Sequence, residues 1–265
     1  MRNLVSIFVA IFIGIATLYP FLNPDYLPDN QTAQTEPETA PAPDFTAHTD
    51  VNQKKQAFFD FMRPSIAKAN ANVLKQRATL EGISKSFEGG SITPDQLTEA
   101  KRLGKLYNEA IVSDIVTDVW LKNMLLKVNV LPESLVLTQA ANESAWGTSR
   151  FAREANNYFG QWCYTKGCGL VPLQRVEGAT HEVAKFDSVY GSVNAYFLNV
   201  NRNRAYSELR EIRSQLAQHG DSLTDVNAAN QLTQGLLRYS ERGQEYVNDL
   251  QSMLRVNSKY WKTES

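Results

Sequence analysis

The chain has 265 residues, of which 43% are hydrophobic, 21% charged and 10% aromatic, and this globular composition excludes a fibrous or wholly disordered protein. The 27 Lys and Arg nearly balance the 28 Asp and Glu, but the segment before Lys54 has one basic and six acidic residues, against 26 and 22 from Lys54 onward. This mild basic excess is too weak to predict a nucleic-acid partner, and three His with two Cys nearly exclude a structural zinc cluster.

The N-terminal segment, residues 1–24, has no charged residue after Arg2 and contains a long apolar run from Leu4 to Leu22. This pattern predicts either an export signal cleaved after Ala16 or an uncleaved helix that anchors the chain in a membrane. Arg2 on one side and an acidic stretch on the other predict a cytoplasmic N-terminus. We therefore expect everything after residue 25 to lie outside the cytoplasm, in the periplasm, tethered to the inner membrane.

The next segment, residues 25–50, has the composition of a disordered linker. Four prolines lie among Thr, Gln, Ala and acidic residues, and such a segment cannot bury a core. Residues 51–265 have the length of one folded domain and show no internal repeat.

Helical periodicity dominates the first part of this domain. Apolar residues recur at helical spacing from Phe58 to Leu74, and we expect Pro64 to kink or split that helix. A second helix start is predicted at Thr93, with Pro at the first helical position and Gln96 at the third. Its apolar face continues to about residue 127.

The sequence predicts a further helix that opens at Leu131-Pro132, carries Gln139 and Glu143, and ends at Gly147. A β-hairpin is then expected, with strands over 171–176 and 182–187 and a turn near Glu177. Helical patterns return at 189–200, 204–218, 224–238 and 243–255. The predicted fold class is α+β, mostly α-helical, with one small β-hairpin lobe.

Glu143 is the residue that points most directly to chemistry. It falls near the end of an otherwise apolar helix, and Trp146 and Phe151 follow within two turns. Aromatic neighbours and the negative end of the helix dipole both favour the protonated carboxyl. A carboxylic acid that stays neutral near working pH suits a general acid, although an exposed helical Glu is the commoner fate of this residue type.

The residues after Glu143 resemble a known signature. Glu-Ser-Ala-Trp-Gly at 143–147, Phe-Ala at 151–152 and Asn-Asn-Tyr-Phe-Gly at 156–160 are similar to the N-acetylglucosaminidase-type glycoside hydrolases of family 73, which cut peptidoglycan glycan strands. The resemblance spans about residues 130–255. It implies a lysozyme-like domain over 128–265, with Glu143 as general acid, and it leaves residues 51–127 as a helical extension of unexplained role.

The resemblance also implies further site residues. Tyr239 begins a Tyr-Ser-x5-Tyr segment that ends at Tyr246, and the corresponding tyrosine faces the active site in the family, so Tyr239 is a catalytic candidate. For several of the other positions, packing in the core or in a turn is the alternative explanation. The candidates for substrate binding are Gln139, Trp146, Asn157, Phe159, Gly160 and Tyr206.

The second carboxylate of the family has no clear counterpart. Glu177, at the predicted hairpin turn, and Glu182, at the start of the next strand, are both candidates, and neither matches cleanly. The mechanism therefore stays open between inversion, double displacement, substrate-assisted hydrolysis and lytic transglycosylation.

Other chemistries are weaker. His181-Glu182 begins like a zinc-protease motif, but position 185 is Lys, so we expect no metal and no cofactor. Cys163 and Cys168 are better explained by a disulfide outside the cytoplasm than by a Cys–His peptidase. The predicted function is cleavage of β-1,4 bonds at N-acetylglucosamine in peptidoglycan. The alternatives are a non-catalytic glycan-binding scaffold, a lytic transglycosylase or an amidase, and protein partners stay unknown.

Overall fold

A computed structural model describes residues 42–173, 175 and 180–261. The described elements, in chain order, are α1 (Val51–Glu88), α2 (Pro94–Leu106), α3 (Asp118–Lys127), α4 (Glu133–Glu143), α5 (Arg150–Ala155), β1 (Trp162–Cys163), β2 (Gly169–Leu170), β3 (Glu182–Ala184), α6 (Val189–Arg202), α7 (Ser207–His219), α8 (Val226–Leu232) and α9 (Gln244–Val256). Short 3-10 helices lie at Arg204–Tyr206, Thr233–Leu236 and Ser258–Tyr260. The mostly helical α+β class is confirmed.

Helix α1 is a single helix of 38 residues, and it continues through Pro64 without the predicted split. Asp50 caps its start by accepting a hydrogen bond from the backbone N–H of Gln53. Phe58, Phe59 and Met62 form a wholly buried stripe that faces the rest of the domain. The extension that carries this helix therefore shares one hydrophobic core with the later helices.

The second predicted helix begins as expected but does not run to residue 127. Thr93 and Gln96 form the predicted capping box. The chain then leaves the helix at Tyr107 and starts α3 after Thr117, whose side chain accepts a hydrogen bond from Trp120. Left-handed backbone at positions 108, 113 and 114 breaks the helix between them, because such φ values cannot continue a right-handed helix.

Helix α4 lies at the centre of the fold. Every residue from Ser134 to Ala141 is buried, and the helix packs against α1, α8 and α9. It ends at Glu143, four residues before the predicted end at Gly147. Because this helix is buried on all sides, no single apolar face determines its orientation. Its packing against α1, α8 and α9 therefore fixes the position of Glu143.

The β lobe differs from the predicted hairpin. It is a three-stranded antiparallel sheet in the order β1-β3-β2, with Trp162 opposite Val183 and Gly169 opposite Ala184. Strand β3 lies within the predicted second strand. The first predicted strand is wrong, since residues 171–173 and 175 form no strand and the partners of β3 come from 162–163 and 169–170. Pro172 has no N–H to donate to a ladder, which disfavours a strand there.

The predicted membrane segment and residues 25–41 of the predicted linker lie outside the described residues. In the part of the chain that the structure describes, no helix has the length and apolar character needed to span a bilayer. Residues 42–50, at the end of the predicted linker, include a turn in which Phe45 is buried.

Candidate active site

Glu143 lies at the C-terminal end of α4, and its side chain is partly buried. Burial raises the pKa of its carboxyl to about 7, although hydrogen bonds from Tyr246 and Asn142 and the charge of Arg242 act in the opposite direction. The loss of water therefore outweighs the nearby donors. At neutral pH, a substantial fraction of this carboxyl holds a proton that it can transfer.

Two side chains donate to the same oxygen of Glu143. The hydroxyl of Tyr246 donates to Oε1 at 2.9 Å, and the amide Nδ2 of Asn142 donates to Oε1 at 3.2 Å. Among the described residues, no hydrogen bond reaches Oε2. Because it accepts both bonds, Oε1 is suited to the role of the carbonyl oxygen when the carboxyl is neutral.

Tyr246 is itself held by a hydrogen-bond chain. Gln139, one turn before Glu143 on α4, donates from Nε2 to the Tyr246 hydroxyl at 3.0 Å. The Oε1 of Gln139 accepts a hydrogen bond from the Tyr196 hydroxyl. All three side chains are buried to at least 98%. Burial and the nearby Glu143 charge raise the pKa of Tyr246 well above its ordinary value, so this phenol stays a neutral donor.

Tyr239 lies next to Tyr246, whose hydroxyl donates to Glu143. The two rings stack with centroids 5.3 Å apart and planes 7° apart. The Tyr239 hydroxyl donates to the backbone carbonyl of Phe159 at 3.2 Å. Tyr206 packs against Tyr239, with ring centroids 5.9 Å apart, and Phe159 stacks on Tyr196 at 4.2 Å. The predicted residues Tyr239, Phe159 and Tyr206 thus form an aromatic layer that supports the hydrogen-bond chain.

The side chain of Asn157 is turned into the fold. Its Nδ2 donates to the backbone carbonyls of Gln161 and Ala184, both at 2.8 Å, and its Oδ1 accepts from the N–H groups of Phe159 and Gln161. Gly160 completes the turn with a φ of +65°. These contacts tie the turn that leads into β1 to strand β3.

Trp146 packs against helix α1. Its ring lies 5.9 Å from Phe58 and 5.3 Å from Phe59, in edge-to-face contacts, and the ammonium of Lys55 lies 5.1 Å above it. The residue has a φ of +59°, between Ala145 and Gly147, which also have positive φ values. The chain thus makes a left-handed turn two residues after Glu143.

Glu182 has its own partners in the β lobe. Its Oε1 accepts from the N–H of Gly167 at 3.0 Å and its Oε2 accepts from the N–H of Gly169 at 2.9 Å. The two backbone donors lower the pKa of this carboxyl. Both oxygens are therefore engaged in closing a loop. Glu177, the other predicted second carboxylate, lies outside the described residues.

The loop that Glu182 closes also contains the predicted disulfide. Cys163 and Cys168 are bonded, which confirms that prediction, with Cα atoms 6.1 Å apart. Glu182 lies close to both sulfurs, but disulfide sulfurs do not offer the thiolates that a metal would need. A Cβ at Gly169 would lie 1.9 Å from the carbonyl oxygen of Val183, so only glycine allows β2 to approach β3 this closely.

Tyr246 and Asn142 are the contacts of Glu143 that the sequence did not single out as site residues. The only signal for Tyr246 was its place at the end of the Tyr-Ser-x5-Tyr segment. Asn142 had the weaker signal of adjacency to Glu143.

Comparison with known proteins identifies the family of this chain. Residues 120–259 match the glucosaminidase family, described as mannosyl-glycoprotein endo-beta-N-acetylglucosaminidase, and the chain belongs to this family. The chain is also 33% identical over 217 residues to Protein bax of Escherichia coli strain K12, an alignment that covers 82% of this chain and 74% of the relative. No solved structure matches.

Proposed function

We propose that this protein cleaves β-1,4 glycosidic bonds next to N-acetylglucosamine in peptidoglycan, with Glu143 as the general acid. The observation that carries the proposal is the carboxyl of Glu143, whose pKa of about 7 keeps it partly protonated at neutral pH. Glycosidic bond cleavage needs such an acid, because the leaving oxygen must be protonated as the bond breaks. The family to which the chain belongs supports the choice of a sugar substrate.

The proton transfer follows from the hydrogen-bond pattern. Tyr246 and Asn142 donate to Oε1, and Oε2 carries the proton to the leaving glycosidic oxygen. As the proton leaves, Glu143 becomes a carboxylate, and the phenol of Tyr246 then stabilises the charge that develops. The chain of Gln139 and Tyr196 holds that phenol in place before the reaction.

As the protonated glycosidic bond breaks, a second group must stabilise the positive charge that develops on the sugar ring. Both oxygens of Glu182 accept backbone hydrogen bonds, and this role argues against its use as base or nucleophile. In place of Glu182 we favour the 2-acetamido group of the substrate, whose carbonyl oxygen attacks the anomeric carbon as the leaving oxygen departs, and water then opens the resulting ring.

The same observation about Glu182 favours one second candidate, a lytic transglycosylase. In that reaction Glu143 first donates its proton to the leaving oxygen and then, as a carboxylate, removes a proton from the 6-hydroxyl of N-acetylmuramic acid. That hydroxyl closes onto its own anomeric carbon and gives a 1,6-anhydro ring. One carboxyl performs both steps.

The disulfide supports a location outside the cytoplasm, because such bonds persist in oxidising compartments. We propose that residues 1–24 direct the protein there, either as a cleaved signal or as a membrane anchor.

The test is mass spectrometry of purified peptidoglycan after digestion by the full chain, with Glu143→Gln and Glu182→Gln alongside. We expect reducing-end N-acetylglucosamine from the parent protein and from Glu182→Gln. Glu143→Gln should lose about 10²- to 10⁴-fold in rate, as expected when a general acid is removed.

The products separate the alternatives. Reducing-end N-acetylmuramic acid would indicate a muramidase, its 1,6-anhydro form a transglycosylase, and free stem peptide an amidase. Sedimentation with peptidoglycan without any product would favour the scaffold alternative. Equal turnover by Glu143→Gln and the parent would contradict the assignment of the acid.

A further inference from the structure

The turn after Glu143 is strained. Ala145, Trp146 and Gly147 have φ values of +50°, +59° and +74°, so three consecutive residues adopt left-handed backbone. For a non-glycine residue this conformation is unfavourable, and it persists only where the surroundings fix it. Part of the fixing is local, since the N–H of Trp146 donates to the carbonyl of Ala141 and that of Gly147 donates to the Ser144 hydroxyl.

Phe45 is seated directly against this turn. Its side chain is only 2% exposed. A Cβ built on Gly147 would lie 2.5 and 2.6 Å from two Phe45 ring carbons and 3.2 Å from Phe58. The Phe45 ring therefore fills the space beside the Gly147 Cα, and the turn cannot rotate there without displacing the ring.

A short turn holds Phe45 in this position against Gly147. The carboxylate of Asp44 accepts hydrogen bonds from the N–H of Thr46 at 2.9 Å and from its hydroxyl at 2.6 Å, and the carbonyl of Asp44 accepts one from Ala47. This is an Asx turn, and Phe45 is its buried middle residue. The Phe45 ring then meets Phe58 at 5.5 Å and Phe61 at 5.7 Å, both edge-to-face.

The neighbouring residue of the turn is held by the same part of the chain. Trp146 packs between Phe58 and Phe59 of α1, under the ammonium of Lys55. Two consecutive residues, Trp146 and Gly147, are thus fixed by side chains from residues 45–59, which lie outside the 120–259 family match. Phe45 belongs to the segment 25–50, which has the composition of a linker, and the sugar-cleaving reaction itself does not explain why it is buried.

We propose that Phe45 is a positioning residue for Glu143, which acts by holding the Ala145–Gly147 turn and, through it, the end of α4 in the geometry that the reaction needs. The segment 44–47 is then part of the active site's support and not a passive linker. This inference rests on the proposed function for its catalytic readout, and a second readout below does not.

The experiment compares full-length Phe45→Ala, Phe45→Leu and Leu80→Ala with the parent protein. Leu80 is wholly buried in the same helix as Phe58, about 33 Å further along it at 1.5 Å per residue, so its truncation is a matched loss of core packing far from Glu143. Turnover, KM and the pH–rate profile are measured at a temperature where circular dichroism shows all variants folded.

We expect Phe45→Ala to lower kcat about tenfold or more, since small misplacements of a catalytic group are costly, while KM changes little. The decline of its activity on the alkaline side should also begin at a lower pH. A loosened turn admits water to the Glu143 carboxyl, and this lowers the pKa of the acid. Phe45→Leu should restore most of both properties. Leu80→Ala should keep the parent kcat and profile despite a lower melting temperature.

Two results of the kinetic comparison would overturn the inference. One is a Phe45→Ala variant with the kcat and pH profile of the parent and only a lower melting temperature, which is what core filling alone produces. The other is an equal loss of kcat in Leu80→Ala. If Phe45→Ala does not fold, the comparison is made with Phe45→Leu, where a smaller change in the same direction is expected.

A direct titration separates this inference from the proposed function. In protein labelled with carbon-13 at glutamate carboxyls, the Glu143 signal is identified by its loss in Glu143→Gln. A downward shift of its pKa in Phe45→Ala, and none in Leu80→Ala, supports the positioning role even if the parent protein cleaves no glycan. An unchanged pKa in Phe45→Ala contradicts it.

Discussion

Glu143 and Glu182 are both held by hydrogen bonds inside the fold, but the donors differ in kind. Glu143 receives a phenol and a side-chain amide, both on one oxygen. Glu182 receives two backbone N–H groups, one on each oxygen. Burial dominates at Glu143 and raises the pKa of its carboxyl, whereas the backbone donors dominate at Glu182 and lower the pKa there.

The difference shows what each region is built to do. At Glu143 one oxygen has no donor among the described residues, and the carboxyl stays partly protonated at neutral pH. At Glu182 two backbone N–H groups stabilise the charge, in the same loop that the disulfide closes. This carboxylate therefore has a structural role. A buried carboxylate is thus a candidate acid only when its donors fail to offset the loss of water.

Among changes to the hydrogen-bond partners of the two carboxylates, the largest expected effect comes from removing the hydroxyl that donates to Glu143. Tyr246→Phe should lower turnover about tenfold or more, because a hydrogen bond to a charged group contributes about 1.5–3 kcal/mol and this one strengthens as the carboxylate forms. The decline of activity at high pH should move to still higher pH, since the bond lowers the pKa of Glu143. A pH–rate profile on purified peptidoglycan measures both effects.

Tyr239→Phe is the matched control, because the two rings are stacked and equally deep. It removes the hydrogen bond to the Phe159 carbonyl, so we expect a loss of about 1 kcal/mol in unfolding free energy and the parent pH profile. If Tyr239→Phe loses as much turnover as Tyr246→Phe, the catalytic role first expected for Tyr239 is correct and the aromatic-layer interpretation is wrong.

Glu143→Gln should increase stability at alkaline pH. The carboxyl has an ordinary pKa of 4.5 and a folded value of about 7, so the folded state binds more protons between these values. The parent therefore loses stability as pH rises from 4.5 to 7, and Gln removes that loss. With allowance for partial exposure, we expect a gain on the order of 1–3 kcal/mol at pH 8.

Urea unfolding of Glu143→Gln and the parent measures this gain, which should vanish below the ordinary carboxyl pKa. An equally stable or less stable variant at pH 8 would contradict the view that burial dominates at Glu143. A buried catalytic group can lower the stability of the native protein, and selection for activity tolerates that loss.

The sequence predicted best what depends on near neighbours. The capping box at Thr93 and Gln96 and the four later helices follow from local hydrogen bonds and from period 3.6, and these are local properties of the chain. The end position of Glu143 on its helix was also predicted in outline, although the helix stops before Gly147. The break between α2 and α3 was missed because left-handed backbone at non-glycine residues leaves little sequence signal.

The sequence could not predict which tyrosine reaches the acid. Tyr239 and Tyr246 are both buried, and the choice between them depends on how α9 packs against α4, which no local pattern encodes. The β lobe was misplaced for a similar reason. Strands of two or three residues are too short to show alternation, and the close approach at Gly169 fixes their register.

The smallest expected effect is at Glu182, and its sign is opposite to that at Glu143. Its folded pKa is lowered, so its contribution to stability is present above the ordinary carboxyl pKa and is lost as pH falls through the folded value. Glu182→Gln should therefore be less stable than the parent at neutral pH, because a neutral amide offers one acceptor for two N–H donors.

The deficit of Glu182→Gln should shrink as the pH is lowered below the ordinary carboxyl range, where the parent's carboxylate is also lost. Denaturant midpoints at pH 3 and pH 7 measure it, on the oxidised protein and again after reduction of the Cys163–Cys168 bond. A deficit that is equal at both pH values would mean that the two backbone donors do not stabilise a charge. The difference between the pKa shifts of Glu143 and Glu182 would then be explained by their different burial alone.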